Sequence, residues 1–131
     1  MSRNIDTVQT AYAAFGRGDV GAILALLADD VSWEHDWGGE TLRWYRPRRG
    51  PAEVAGFFTT LAEFDFLRFE PFNLLEGGDQ VVALIHIELG IKANGRRFRD
   101  LEAHLWTCGS DGKVTGFRHL TDTHQLAQAT A

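Results

Sequence analysis

The amino-acid sequence predicts an α+β protein on three observations. Helical periodicity fills the early part of the chain, extended patterning fills it from about residue 65 onward, and tight-turn signals punctuate the extended part. Those signals are Gly77-Gly78, Asn94-Gly95 and the Gly-Ser-Asp-Gly run at 109–112, each marking a hairpin of an antiparallel meander. Helices that precede such a meander pack on one face of a curved sheet, because each element has one apolar side to bury. A chain of 131 residues supports one core, so a single domain over 1–131 is expected.

The elements follow in order. Ile5, Val8, Tyr12 and Phe15 recur at helical spacing, Asn4 or Asp6 can cap the start, and Gly16 and Gly18 supply a stop, which predicts a helix over 4–16. Asp19 caps a second helix with Val20, Ile23, Leu24 and Leu27 on one face, fading at Asp29-Asp30. Val31, Trp33 and His35 then alternate with Ser32, Glu34 and Asp36, a strand running into a Gly38-Gly39 turn. An arginine cluster, Arg43 to Arg49, precedes Pro51, which opens a third helix with Val54, Phe57, Phe58, Leu61 and Phe64 on its apolar face. Four extended segments and a short C-terminal helix beginning near Thr123 complete the chain.

Composition narrows the function classes. A formal net charge of -5 disfavours nucleic acid and anionic membrane as partners. One cysteine, Cys108, excludes an intrachain disulfide, and without Cys/His ligand spacing or an HExxH pattern no metal is expected. No apolar stretch reaches the length of a membrane span, and the first 15 residues lack a signal-peptide core, so a cytoplasmic protein is expected.

A two-residue Asn94-Gly95 turn pairs Ala93 with Arg96. It puts Phe98, Asp100, Glu102, His104 and Trp106 on the face shared by Ile85, Ile87, Leu89 and Ile91. Both faces carry charge, so alternation alone leaves the inner face open. Burying Asp100, Glu102 or His104 without partners costs several kcal/mol, which favours a lined cavity over a dry core. The last turn admits two registers. A four-residue loop at 109–112 aligns Phe117 and His119 with His104, whereas a three-residue loop ending in Gly112 aligns Arg118 and Asp122 with it. The second is preferred, because Gly112 can take the left-handed position of a bulged turn.

Three segments carry a resemblance: AYAAFGRGDVGAILALLADDVSWEHD at 11–36, RGPAEVAGFFTTL at 49–61, and HLWTCGSDGKVTGFRHLTDT at 104–123. In order and spacing the chain resembles the SnoaL-like branch of the nuclear transport factor 2-like superfamily, which holds polyketide cyclases, ketosteroid isomerases and limonene-epoxide hydrolases. The resemblance implies a conical α+β barrel, a curved antiparallel sheet wrapped around three helices from the N-terminal half, with a deep apolar pocket and a homodimer formed through the sheet. It places His35 where the isomerases keep a proton-shuttling Asp, and His104 where they keep a protonated Asp. The isomerase Tyr falls on Ala11, beside Tyr12, so that trio is not reproduced. Asp122 in HLTDT matches the general acid/base of SnoaL-type cyclases. Asp100, Arg118 and Asp122 offer the residue types of the hydrolases' Asp-Arg-Asp arrangement.

The expected function is a cofactor-free acid/base enzyme, an isomerase, cyclase or dehydratase acting on a small hydrophobic carbonyl-containing or polyketide-like molecule. His104, Asp122 and His35 are the expected catalytic groups, since imidazole titrates near neutrality and a carboxylate orients it. Tyr12, Trp33, Phe58, Asp100, Glu102, Trp106 and Arg118 are expected to line the substrate. Each has a blander role open to it: a hydrogen-bonded core histidine, core aromatics, or a cap of the C-terminal helix for Asp122. The competing class is a non-catalytic ligand-binding or dimeric scaffold module on the same fold.

Overall fold

A computed structural model of the protein describes residues 3–34 and 42–131. The expected catalytic His35 and the Gly38-Gly39 turn lie outside the described residues. The elements are α1 (Arg3–Gly16), α2 (Val20–Leu24), β1 (Leu27–Trp33), β2 (Arg48–Arg49), α3 (Gly50–Thr60), β3 (Phe64–Gly77), β4 (Gln80–Ile91), β5 (Arg97–Cys108), β6 (Val114–Leu120) and α4 (Thr123–Thr130). The α+β expectation holds. The six strands form one curved, unclosed sheet in the order β2-β1-β6-β5-β4-β3. One pairing departs from an all-antiparallel sheet: β1 runs parallel to β6.

Local chemistry sets the helix ends. Asp19 caps α2 by accepting from the Ala22 backbone N–H at 3.1 Å. Pro51 opens α3, where Glu53 reaches back to the Arg49 N–H at 2.8 Å. Helix α1 begins at Arg3, so Asn4 and Asp6 fall inside its first turn rather than before it. Helix α2 stops at Leu24, earlier than its periodicity suggests. The Leu26 carbonyl is taken by the Val114 N–H at 2.9 Å and Leu27 pairs with Val114, so the segment joins the sheet instead.

The sheet curves because β3 is broken by bulges between Phe66 and Arg68 and between Pro71 and Asn73. Pro71 is tolerated there because β3 is an edge strand. The β4–β5 hairpin closes through a four-residue loop, with Ile91 donating to the Arg96 carbonyl at 2.8 Å, rather than through the two-residue turn expected. The register therefore slips by two residues, pairing Phe98 with Leu89. A slip of two leaves every side chain on its expected face.

The preferred register of the last hairpin is corrected. Phe117 pairs with Trp106, His119 with His104, and Arg118 with Leu105, so Phe117 and His119 share the inner face and Arg118 does not. The turn itself is the three-residue loop expected, with the Gly109 N–H donating to the Lys113 carbonyl at 2.8 Å and Gly112 left-handed at φ 86; the faces change because of a further bulge at Thr115, between the pairs Cys108–Val114 and Thr107–Gly116. One extra residue in β6 reverses the alternation, which lets Val114 and Phe117 both point inward.

Phe98 has no exposed surface and packs among the inward side chains of β4. Truncation to alanine leaves a cavity that the sheet cannot close. Phe98→Ala is expected to lower unfolding free energy by about 3–5 kcal/mol, read from the urea midpoint at unchanged slope.

Candidate functional site

Between the sheet and its helices lies a hollow of about 70 Å³, partly open to solvent. Its walls are mainly aromatic: Tyr12 and Phe15 from α1, Phe58 from α3, Phe69 from β3, with Trp33 stacked on Phe117 at 4.0 Å. Among the aromatics sit the polar groups Glu102, His104 and His119, brought together because β5 and β6 pair His104 directly with His119.

The protons of one chain of bonds can be assigned from donor and acceptor types. The Trp106 indole N–H donates to the Tyr12 hydroxyl at 3.0 Å. That hydroxyl lies 2.7 Å from His104 Nδ1, and His104 Nε2 lies 2.8 Å from Glu102 Oε2. An ionised carboxylate only accepts, so Nε2 carries the hydrogen and Tyr12 donates to Nδ1. This is neutral His104. Burial favours that form and holds His104 below its ordinary pKa, against the pull of Glu102. Burial alone would raise Glu102, but the attraction and hydrogen bond of His104, with His119 and Thr121, bring it below the ordinary carboxylate range. Burial pushes the Tyr12 hydroxyl well up, so it stays protonated.

A second pair lies beside the first. Glu34, with 0% exposure, accepts from the His119 backbone N–H at 2.7 Å and from His119 Nδ1 at 2.9 Å, both through Oε1. Its own N–H donates to the Phe117 carbonyl at 2.7 Å. Glu34 has φ 61, a left-handed conformation that costs a non-glycine residue strain. That turn is what swings its side chain inward, out of the alternation of β1. Burial opposes charge on His119, yet the charge and hydrogen bond of Glu34, with Glu102 behind, hold its pKa above the ordinary 6.5. With Nδ1 engaged, His119 Nε2 has no hydrogen bond to any described residue. Tyr45 stacks on the ring at 4.5 Å and fixes its plane.

The remaining expected residues separate. Trp33, Phe58, Glu102, Trp106 and Tyr12 line the hollow with His104. Asp122 is exposed and caps α4, accepting from the Gln125 N–H at 3.0 Å, so the structure places it away from His104. Asp100 is half-buried and accepts from the Thr121 hydroxyl at 2.7 Å and the Asp122 N–H at 2.8 Å, outside the lining of the hollow. Arg118 points to the opposite face of the sheet. In the arginine cluster, buried Arg48 donates to the Trp44 carbonyl at 3.0 Å, while Arg43 pairs with Glu63 and covers the Trp44 ring.

One functional candidate, Glu34, escaped the sequence reading, and another, His119, entered it only through the register that was not preferred. His119 was hidden by the Thr115 bulge, and Glu34 by a strand pattern that assigns it to the outside. Glu102, His104 and His119 each bring one ligand-type atom within 4.8 Å of the others. Both ring nitrogens of His104 are engaged by Tyr12 and Glu102, so the grouping is closed as a hydrogen-bond network.

Comparison with known proteins agrees with this architecture. The chain belongs to the SnoaL-like domain family, whose model matches residues 8–117. It is similar to an NTF2-like protein of unknown function from Burkholderia pseudomallei, at 30% identity and TM-score 0.85 over 100% of this chain and 99% of that one. It is also similar to TerC, crystallised with polyporic acid, at 27% identity and TM-score 0.83 over 98% of both chains. A candidate polyketide cyclase from Pseudomonas putida, at 20% identity and TM-score 0.79 over 100% of this chain and 99% of that one, shares the fold. A search of curated proteins found no match.

The two histidines should titrate on opposite sides of 6.5 in an NMR titration of the ring carbons, His119 above and His104 below. Glu34→Gln is expected to lower the His119 midpoint. Because the folded value of His119 is raised, its pairing stabilises the fold below 6.5, and that contribution is lost as pH climbs through the raised value.

Proposed function

We propose that the protein is a cofactor-free acid/base enzyme that removes a proton next to the carbonyl of a small, ring-bearing hydrophobic molecule. The observation that carries this reading is the buried Glu34–His119 pair, whose Nε2 stands among aromatic walls with no hydrogen bond to any described residue. In its neutral form His119 takes the proton at Nε2, while Glu34 holds the opposite N–H and stabilises the imidazolium that forms. A low-dielectric hollow strengthens each hydrogen bond to the developing enolate.

Tyr12 supplies the donor. At rest its hydrogen is directed to His104, because Glu102 is ionised. Rotation of the hydroxyl about its C–O bond turns this hydrogen from His104 Nδ1 to the enolate oxygen, with no covalent bond broken, while the Trp106 N–H stays on the Tyr12 oxygen. Crystallisation of TerC with polyporic acid supports occupation of such a hollow by a small organic molecule. The chemistry is that of an isomerase, cyclase or dehydratase, with His119 and Glu34 in the role expected of His35 and Asp122.

We also propose a homodimer through the outer face of the sheet. Leu101 at 58% exposure, Leu75 at 51% and Leu120 at 46% face solvent among half-buried Ala103 and Leu105. Leu101→Arg is expected to halve the mass measured by light scattering.

The activity is tested by deuterium incorporation from D2O into a panel of enolisable cyclic ketones, followed by NMR. Folded His119→Gln is expected to lose on the order of 10²–10⁴ in rate, with Asp122→Asn unchanged. The rate should rise as pH passes the raised His119 pKa, since the base must be neutral. Binding without exchange in the wild type would instead identify a ligand-binding module.

A further inference from the structure

We propose that Phe66 is the gate and shape selector of the hollow, a ring that swings aside to admit flat ring-bearing molecules and that excludes globular ones. The acid/base reading of the site supplies the chemistry that follows entry, and the gate rests on it for that alone.

The hollow measures about 70 Å³. An apolar protein cavity that holds benzene measures about 150 Å³, so a ring enters this one only if part of the wall moves. Most of the wall is held. Trp33 and Phe117 stack at 4.0 Å and are buried along with Trp106, and the Tyr12 hydroxyl is tied to both Trp106 and His104. Leu126 belongs to α4, which is pinned along its length. The Gln125 side chain exchanges two hydrogen bonds with the backbone of Arg99, at 3.0 Å and 2.9 Å, while Asn94 Nδ2 and Arg96 Nη1 donate to the Ala129 and Gln128 carbonyls at 2.8 Å and 3.0 Å.

Phe66 is held by less. Among the described lining residues it is the exposed one, at 37%. Pairing with Leu89 turns it to the inner face, where its ring meets Phe15 of α1 at 5.5 Å and Phe69 at 5.9 Å, edge to face in both contacts. A phenyl ring has no hydrogen bond to anchor it. The backbone beneath it is equally free on one side, because β3 is an edge strand bonded to β4 alone and is bulged between Phe66 and Arg68. A change of side-chain rotamer therefore carries the ring outward and vacates the space of one ring at the mouth. Phe15 and Phe69, whose rings lie 5.0 Å apart, bound that space. The opening is one ring thick, so it passes a flat molecule, which restores the lost ring contacts, and stops a cage-shaped one.

Entry can be followed by stopped-flow tryptophan fluorescence, since Trp33, Trp44 and Trp106 line the hollow. Two ketones of different shape serve as probes, tetralone, which is flat, and adamantanone, which is a cage. The wild type is expected to bind tetralone and to exclude adamantanone. Phe66→Ala is expected to bind both and to associate with tetralone on the order of tenfold faster, whereas Phe66→Tyr, which keeps the ring, is expected to match the wild type. Urea midpoints of the two variants establish that each is folded. Equal affinity of the wild type for the two ketones, or tetralone association unchanged in Phe66→Ala, would overturn the gate, as would failure of both proteins to bind either ketone. The gated pattern without deuterium exchange into tetralone by the wild type would uphold the gate and reject the proposed reaction.

Discussion

Two carboxylates, Glu34 and Glu102, lie at 0% and 1% exposure inside a wall of aromatic rings, and holding them there constrains the inner face of the sheet. An ionised carboxylate removed from water costs several kcal/mol unless it is paired and hydrogen-bonded. Each therefore needs a donor of its own, and each has a histidine: His119 for Glu34 and His104 for Glu102. The histidines are cross-strand partners, so the two pairs stand side by side and each feels the charge of the other. Loss of the β5–β6 register would leave both acids unpaired.

The same side chain takes two characters within this arrangement. His104 has one ring nitrogen on a neutral hydroxyl and the other on Glu102, and burial prevails, so it stays neutral. His119 has Glu34 at Nδ1 and the field of Glu102 behind it, and attraction prevails over burial. One imidazole is locked into a chain of hydrogen bonds at both nitrogens, while the other has its Nε2 directed away from its partner. Histidine count alone cannot distinguish them; only the partners do.

Much of the scaffold was legible as pattern. The caps at Asp19 and Asp122, the Pro51 helix start and the inward set Phe98 to Trp106 follow from local rules of spacing and capping. The resemblance to SnoaL-like proteins, carried by three separated segments, is confirmed by the family match over 8–117. His104, Glu102, Tyr12 and Trp106 were legible as one cluster because even slips of register preserve the face of a side chain. Asp122 was misleading for a physical reason: an Asp before a helix is equally a cap and a catalytic acid, and here the backbone of Gln125 claims it. Glu34 was not legible and His119 was legible only as the register not preferred, because each depends on a break in alternation, one left-handed residue at Glu34 and one bulge at Thr115.

By itself the sequence determined the α+β class, the order and capping of the helices, the hairpin positions and the apolar inner face of β4 and β5. All of these arise from near-neighbour preferences and periodicity. The tertiary structure alone decided the parallel β1–β6 pairing, the parity of β6 and the inward turn of Glu34. Each of these places strain or an extra residue at one point in return for contacts between segments more than 80 residues apart, as between Glu34 and His119. Such contacts leave no periodic trace in the chain, because they are selected by the charge that must be neutralised once the sheet has closed over it.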